Sequence, residues 1–91
     1  MMRALTDEER ESLFPAECHV KVIALDREGL QNQLNDVLHE FGFAHEIFQP
    51  GTRSTRGRYI SYNAKICFDN YQLMQKVDTA LCSIEGVKMV L

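Results

Sequence analysis

The sequence predicts a two-layer α+β fold, a four-stranded antiparallel sheet with both of its helices packed on one face. Three observations predict it. Hydrophobic residues alternate from Cys18 to Leu25 and again from Tyr59 to Phe68. Each run is followed by an apolar stripe at helical spacing. Polar turns and glycines separate the segments. Period two marks a strand buried on one side, and i, i+4, i+7 spacing marks a helix with one buried face.

The first thirteen residues form an acidic extension ahead of a domain at 14–91. Thr6-x-x-Glu9 fits a capping box, and Asp7, Glu8 and Glu9 favour the positive end of a helix dipole. A short helix from Asp7 to Leu13, stopped by the Phe14-Pro15 step, follows from this. Such a helix is marginal alone, so a frayed tail remains the other reading. The first strand then places Cys18, Val20, Val22 and Ala24 on one face and His19 and Lys21 on the other. Asp26 offers an N-cap, and Leu30, Leu34, Val37, Leu38 and Phe41 line one helical face up to Gly42, a C-cap glycine.

A second strand is expected from Phe43 to Gln49, ending at Pro50-Gly51, with Gly51 to Arg58 as a hairpin connection. In the third strand Ile60, Tyr62, Ala64, Ile66 and Phe68 face the core, and Tyr59, Ser61, Asn63 and Lys65 face away. Asp69 with Gln72 repeats the capping signature. Tyr71, Met74, Val77, Leu81 and Ile84 supply the second helical face, Gly86 ends that helix, and Val87 to Leu91 closes as the last strand. Strand, helix, strand, strand, helix, strand is the ferredoxin-like split-βαβ order. Right-handed crossovers then give the spatial strand order 4-1-3-2.

Composition bounds the function. At 91 residues, 45% hydrophobic and 25% charged, the chain is one globular domain. A net charge of −3 argues against bulk polyanion binding as the main role. Cys18, Cys67 and Cys82 are an odd, irregularly spaced set, which argues for reduced thiols and a cytoplasmic location rather than a disulfide framework or zinc site. The N-terminus turns acidic before any apolar run, unlike a signal peptide, and no run has the length of a membrane helix. Cys18 and Cys82 are expected as small core residues. No triad, paired-carboxylate or metal-ligand constellation stands out, so the expectation is a non-enzyme with no cofactor and no metal.

The local charge is more informative. Between Pro50 and Ile66 stand Arg53, Arg56, Arg58 and Lys65 with no acidic residue. Guanidinium forks, the Ser54, Thr55 and Ser61 hydroxyls and the Gly57 amide are the groups that hold a phosphate or carboxylate. The spacing is not that of a P-loop, and a solvated hairpin loop is the plainer reading. Beside the loop, the helix-free sheet face presents His19, Lys21 and Ile23, then Tyr59, Ser61, Asn63 and Lys65, with Lys88 from the last strand. An RRM needs stacked aromatics on its central strands, and here Tyr59 is the one aromatic on the outward face of the third strand.

Three short runs also resemble a family. Phe14-Pro15 followed by Lys21-Val22, the stretch Ser54-Thr55-Arg56-Gly57-Arg58-Tyr59-Ile60-Ser61, and the ending Val87-Lys88-Met89-Val90-Leu91 resemble, in order, the YbeD-like family of small uncharacterised bacterial proteins. Thr55 and Arg56 stand for the family's Ser and Lys, and Lys88 for its Arg. The resemblance implies the ferredoxin-like fold and a similarity to ACT-type regulatory domains, which bind small ligands between paired copies. It implies no activity.

The expected function is therefore a non-catalytic regulatory or adaptor domain. It would take a protein partner or a small anionic ligand on the basic loop and the open sheet face. Arg53, Arg56 and Arg58 would supply charge, Gly57 backbone access, and Ser54, Thr55, Tyr59 and Ser61 hydrogen bonds, with Lys21 and Lys88 lining the sheet. Two other readings stay open: a weak nucleic-acid binder using the same surface, and an oligomerisation module pairing through the edge strand at Val87 to Leu91, a possible homodimer.

Overall fold

The computed structural model describes residues 6–54 and 56–91. The elements run α1 (Asp7–Ser12), β1 (Ala16–Leu25), α2 (Leu30–Glu40), β2 (Gln49–Arg53), β3 (Tyr59–Phe68), α3 (Tyr71–Cys82) and β4 (Val87–Val90). The sheet order is β2-β3-β1-β4, which is 4-1-3-2 read from its other edge, as the sequence predicts. An unbroken antiparallel ladder from Ala16↔Phe68 to Leu25↔Tyr59 forms its centre.

The core is the expected one. Val20, Val22 and Ala24 of β1 and Ile60, Tyr62, Ala64, Ile66 and Phe68 of β3 are buried against Leu30, Leu34 and Leu38 of α2 and Val77 and Leu81 of α3. Both helices thus cover one sheet face. Removing each large aliphatic side chain from water contributes roughly 1.5–3 kcal/mol. α2 ends in a Schellman motif: Gly42 has φ 94°, the Phe43 N–H donates to the Leu38 carbonyl at 2.8 Å, and the Gly42 N–H donates to that of His39 at 3.1 Å. Phe43 then meets Phe68 edge-on at 5.4 Å between ring centroids.

The capping box at the N-terminus is formed. The Glu9 N–H donates to Thr6 Oγ1 and the Thr6 N–H to Glu9 Oε1, both at 3.1 Å. α1 ends at Ser12, and Phe14, the first residue of the domain, packs its ring on Tyr71 with centroids 6.2 Å apart. Met1 to Leu5, also assigned to the extension, lie outside the described residues.

Four expectations need correction. Asp26 does not cap α2: Gly29, at φ 84°, is the N-cap and has no side-chain cap, because Arg27 to Gly29 make a turn first. Asn70, not Asp69, caps α3, its Oδ1 accepting from the Leu73 N–H at 2.8 Å. Gly86 lies beyond the end of α3 at Cys82, and its left-handed backbone (φ 99°) turns the chain into β4. The second strand is Gln49–Arg53 and contains the Pro50-Gly51 pair expected to end it. The reason is visible at Phe48. Its N–H donates to Asn35 Oδ1 at 2.8 Å and its carbonyl accepts from Gln31 Nε2 at 2.9 Å, so α2 side chains take the backbone bonds a strand would have used. Proline is tolerated in β2 because that strand is an edge.

One thiol departs from expectation, Cys82, whereas Cys18 does pack against the core. Cys82 is exposed and Cys18 half-buried, while Cys67 is exposed. Cys82 falls on the outer side of α3, one residue past the buried Leu81.

Candidate functional site

The loop between β2 and β3 is built as a closed hairpin. The Ser54 N–H donates to the Tyr59 carbonyl at 2.9 Å, and the Tyr59 N–H returns to Ser54 Oγ at 3.1 Å. Inside it the Gly57 N–H donates to the Ser54 carbonyl at 2.9 Å, with Gly57 at φ 69°, a conformation side chains disfavour. The turn needs glycine there, and the Gly57 amide expected to face a ligand is engaged within the loop. Thr55 lies outside the described residues.

Asp26, at the end of β1, holds this hairpin from the side. Its N–H donates to the Arg58 carbonyl at 2.9 Å, and its carboxylate pairs with the Arg53 guanidinium. Arg53 is therefore already compensated. Arg56 and Arg58 are exposed, and neither forms an ion pair with a described residue.

Around Tyr59 the structure brings together most of the residues the sequence singled out. A shallow concavity is lined by Ser54, Arg56, Arg58 and Tyr59. A second one shares Ser54 and Tyr59 and adds Lys21, Ile23, Arg53 and Ser61. Lys88 reaches across from β4 to set its Nζ 5.8 Å from the Tyr59 ring centroid, a cation–π contact. Ser61 is the exception to the expected exposure. It is 4% exposed, and its hydroxyl donates to the Thr52 carbonyl at 3.3 Å. Gly51 makes that closeness possible, since a Cβ there would stand 2.7 Å from both Ser61 Oγ and Asn63 Nδ2. What remains available is a cationic rim of Arg56, Arg58, Lys21 and Lys88 around one half-buried tyrosine.

Periodicity alone did not point to a third concavity, at the other end of the sheet. Val20, Phe68, Tyr71, Met74 and Leu81 form an apolar groove between α3 and the first half of β1, rimmed by Gln75 and Asp78. The sequence predicts a last strand of Val87 to Leu91 beside a first strand of Cys18 to Leu25; in the structure β1 has ten residues and β4 four, which leaves the first half of β1 uncovered. Among the described residues no group of three His, Cys, Asp or Glu side chains is placed to hold a metal ion. No helix among them is long and apolar enough to cross a membrane.

The sequence over residues 9–91 matches the family described as "Protein of unknown function (DUF493)". The chain belongs to the DUF493 family. Curated relatives agree with this assignment. A UPF0250 protein of Haemophilus influenzae strain PittEE is 32% identical over 78 residues, spanning 86% of this chain and 84% of its own length. A UPF0250 protein of Shewanella piezotolerans is 32% identical over 79 residues, spanning 86% and 88%. The YbeD-like resemblance thus holds at the level of family. Among solved structures, protein HP0495 from H. pylori superimposes with a TM-score of 0.72 at 14% identity, covering 86% of this DUF493 chain and 82% of that one. The ACT domain from the GTP pyrophosphokinase of Chlorobium tepidum gives 0.61 at 18% identity, covering 84% and 97%. At such identities the likeness is one of fold, and the fold of this DUF493 protein is ferredoxin-like and ACT-like.

Proposed function

We propose that this DUF493 chain is a non-catalytic regulatory or adaptor domain that receives a negatively charged group on the rim around Tyr59. The group is a small anion or an acidic side chain of a protein partner. One observation carries the reading. Arg56 and Arg58, beside Ser54 and Tyr59, are exposed without an ion-pair partner among the described residues, whereas nearby Arg53 is neutralised by Asp26. A guanidinium fork matches a carboxylate or phosphate in two parallel hydrogen bonds. Tyr59 and Lys88 offer an adjacent cation-bearing surface for the rest of the ligand.

The ACT-like fold supports a regulatory role by analogy of fold. Three free cysteines support a reducing, cytoplasmic setting. Calorimetric titration with pyrophosphate and with an acidic peptide tests the reading. Binding by the wild type that disappears in Arg56→Ala/Arg58→Ala, with the fold retained, is the expected result. Equal heats from both proteins would remove the rim as the site. Nucleic-acid binding is distinguished by its salt slope, since each phosphate contact steepens the loss of affinity with salt.

A further inference from the structure

We infer that β1 is the seam of a two-fold homodimer, pairing in one register, Glu17 opposite the partner's His19. β1 spans Ala16–Leu25, but β4 covers only its second half, through Val22↔Val90, Ile23↔Met89 and Ala24↔Val87. Beyond them, Lys21 exchanges both backbone bonds with Leu91, N–H to carbonyl at 3.2 Å and the reverse at 2.7 Å. Lys21 therefore points its backbone groups away from β3. The β1–β3 ladder is unbroken, so Glu17 and His19, of the same parity, point theirs outward too. Among the described residues no backbone group bonds to them there. An uncovered strand edge is a template for another strand.

The second copy is singled out by register and charge. An antiparallel partner must set odd residues opposite odd residues, since those carry the outward groups. Glu17 opposite Glu17 would confront like charges. Glu17 opposite Lys21 is blocked, because Leu91 already occupies Lys21. The register with Glu17 opposite His19 ends with the partner's Ala16, where β1 begins, opposite Val20, one position short of the Lys21–Leu91 pair, so the partner's chain has to leave the ladder at Pro15. This register exchanges backbone bonds at two symmetric pairs and lays carboxylate against imidazole on the open face. Within one chain Glu17 stands opposite Cys67 and diagonal to Lys65, and His19 stands opposite Lys65 with its Nε2 3.2 Å from Asn63 Oδ1, so the second ring nitrogen of the partner's His19 is what this register brings to Glu17. On the helix side this register sets Cys18 against Cys18 and Ala16 against Val20. These are small residues, beside the apolar groove of Val20, Tyr71 and Met74.

Cys18 faces its symmetry mate as a non-hydrogen-bonded pair, with Cα atoms about 4.5 Å apart, inside the roughly 4.4–6.8 Å span of a disulfide. Sedimentation of the wild type under reducing conditions is expected to show a dimer at high micromolar concentration. With Cys67→Ser/Cys82→Ser, oxidation by copper phenanthroline should give a covalent dimer through Cys18. His19→Pro deletes an outward N–H and leaves every β3-facing bond, and should yield a folded monomer. His19→Glu should weaken the dimer at least tenfold, and Glu17→Lys/His19→Glu should restore it. A wild-type monomer would overturn the inference. So would a dimer indifferent to these charge changes, or one that Cys18 fails to cross-link.

Discussion

Asp26 shows how one side chain sets what a neighbouring site has left to offer. Its carboxylate takes Arg53 out of the cationic rim while its amide fastens the hairpin at Arg58. Replacing Asp26 with Asn keeps the amide and frees Arg53. Because an exposed ion pair contributes about 0–1 kcal/mol, thermal unfolding should shift little, while calorimetry should show tighter pyrophosphate binding. Cys82 makes a second residue-level case. Although the residue is exposed, partial desolvation of its thiol first, and then the Asp78 carboxylate, push it above the ordinary range. A thiol raised in the folded state holds its proton longer than in the unfolded chain. Its contribution to stability is full below the unfolded value and lost as pH rises through the folded one. Asp78→Asn removes the second cause, so alkylation of Cys82 should then begin at lower pH, as mass spectrometry of iodoacetamide-treated protein would show. A third case is Gly51, where the sequence suggested a turn and the structure shows a close approach. Ala at this position has to displace the short, buried Ser61 hydroxyl. It should cost about 1 kcal/mol in urea unfolding, at the low end for overpacking.

Among the elements, what was legible followed from side-chain period. Leu30, Leu34 and Leu38 repeat every four residues, and all three are fully buried in α2. The alternation through Tyr59–Phe68 gave the core face of β3 correctly. Where the reading slipped, a polar side chain had intervened. Asn35 and Gln31 bind the backbone of Phe48 across the fold, a bond no local pattern encodes, and Phe43 and Phe48 pack on the core without their segment joining the sheet. Asn35→Ala leaves that buried N–H without an acceptor and should lower unfolding stability by about 1–2 kcal/mol. At the start of α2 an Asp with capping ability stood three residues too early, and the left-handed Gly29 took its place. The candidate site was legible as charge but not as availability. Sequence separates Arg53 from Arg56 and Arg58 by nothing, and only the placement of Asp26 does so.

For the molecule as a whole, a −3 net charge and a cationic rim are compatible because the sheet gathers positive charge from distant stretches. Lys21 from β1, Lys88 from β4 and the arginines of the hairpin converge on Tyr59, where Asp26 offsets one of them, Arg53. The proposed rim and the proposed β1 seam use different residues of this sheet, so the two proposals are tested independently. The most direct measurement of the central claim is an amide NMR titration of the wild type and of Arg56→Ala/Arg58→Ala with pyrophosphate. Saturable shifts centred on Ser54, Gly57, Arg58 and Tyr59 in the wild type, and none in the variant, are the predicted result. Shifts elsewhere in the sheet, or the same shifts in both proteins, would contradict it.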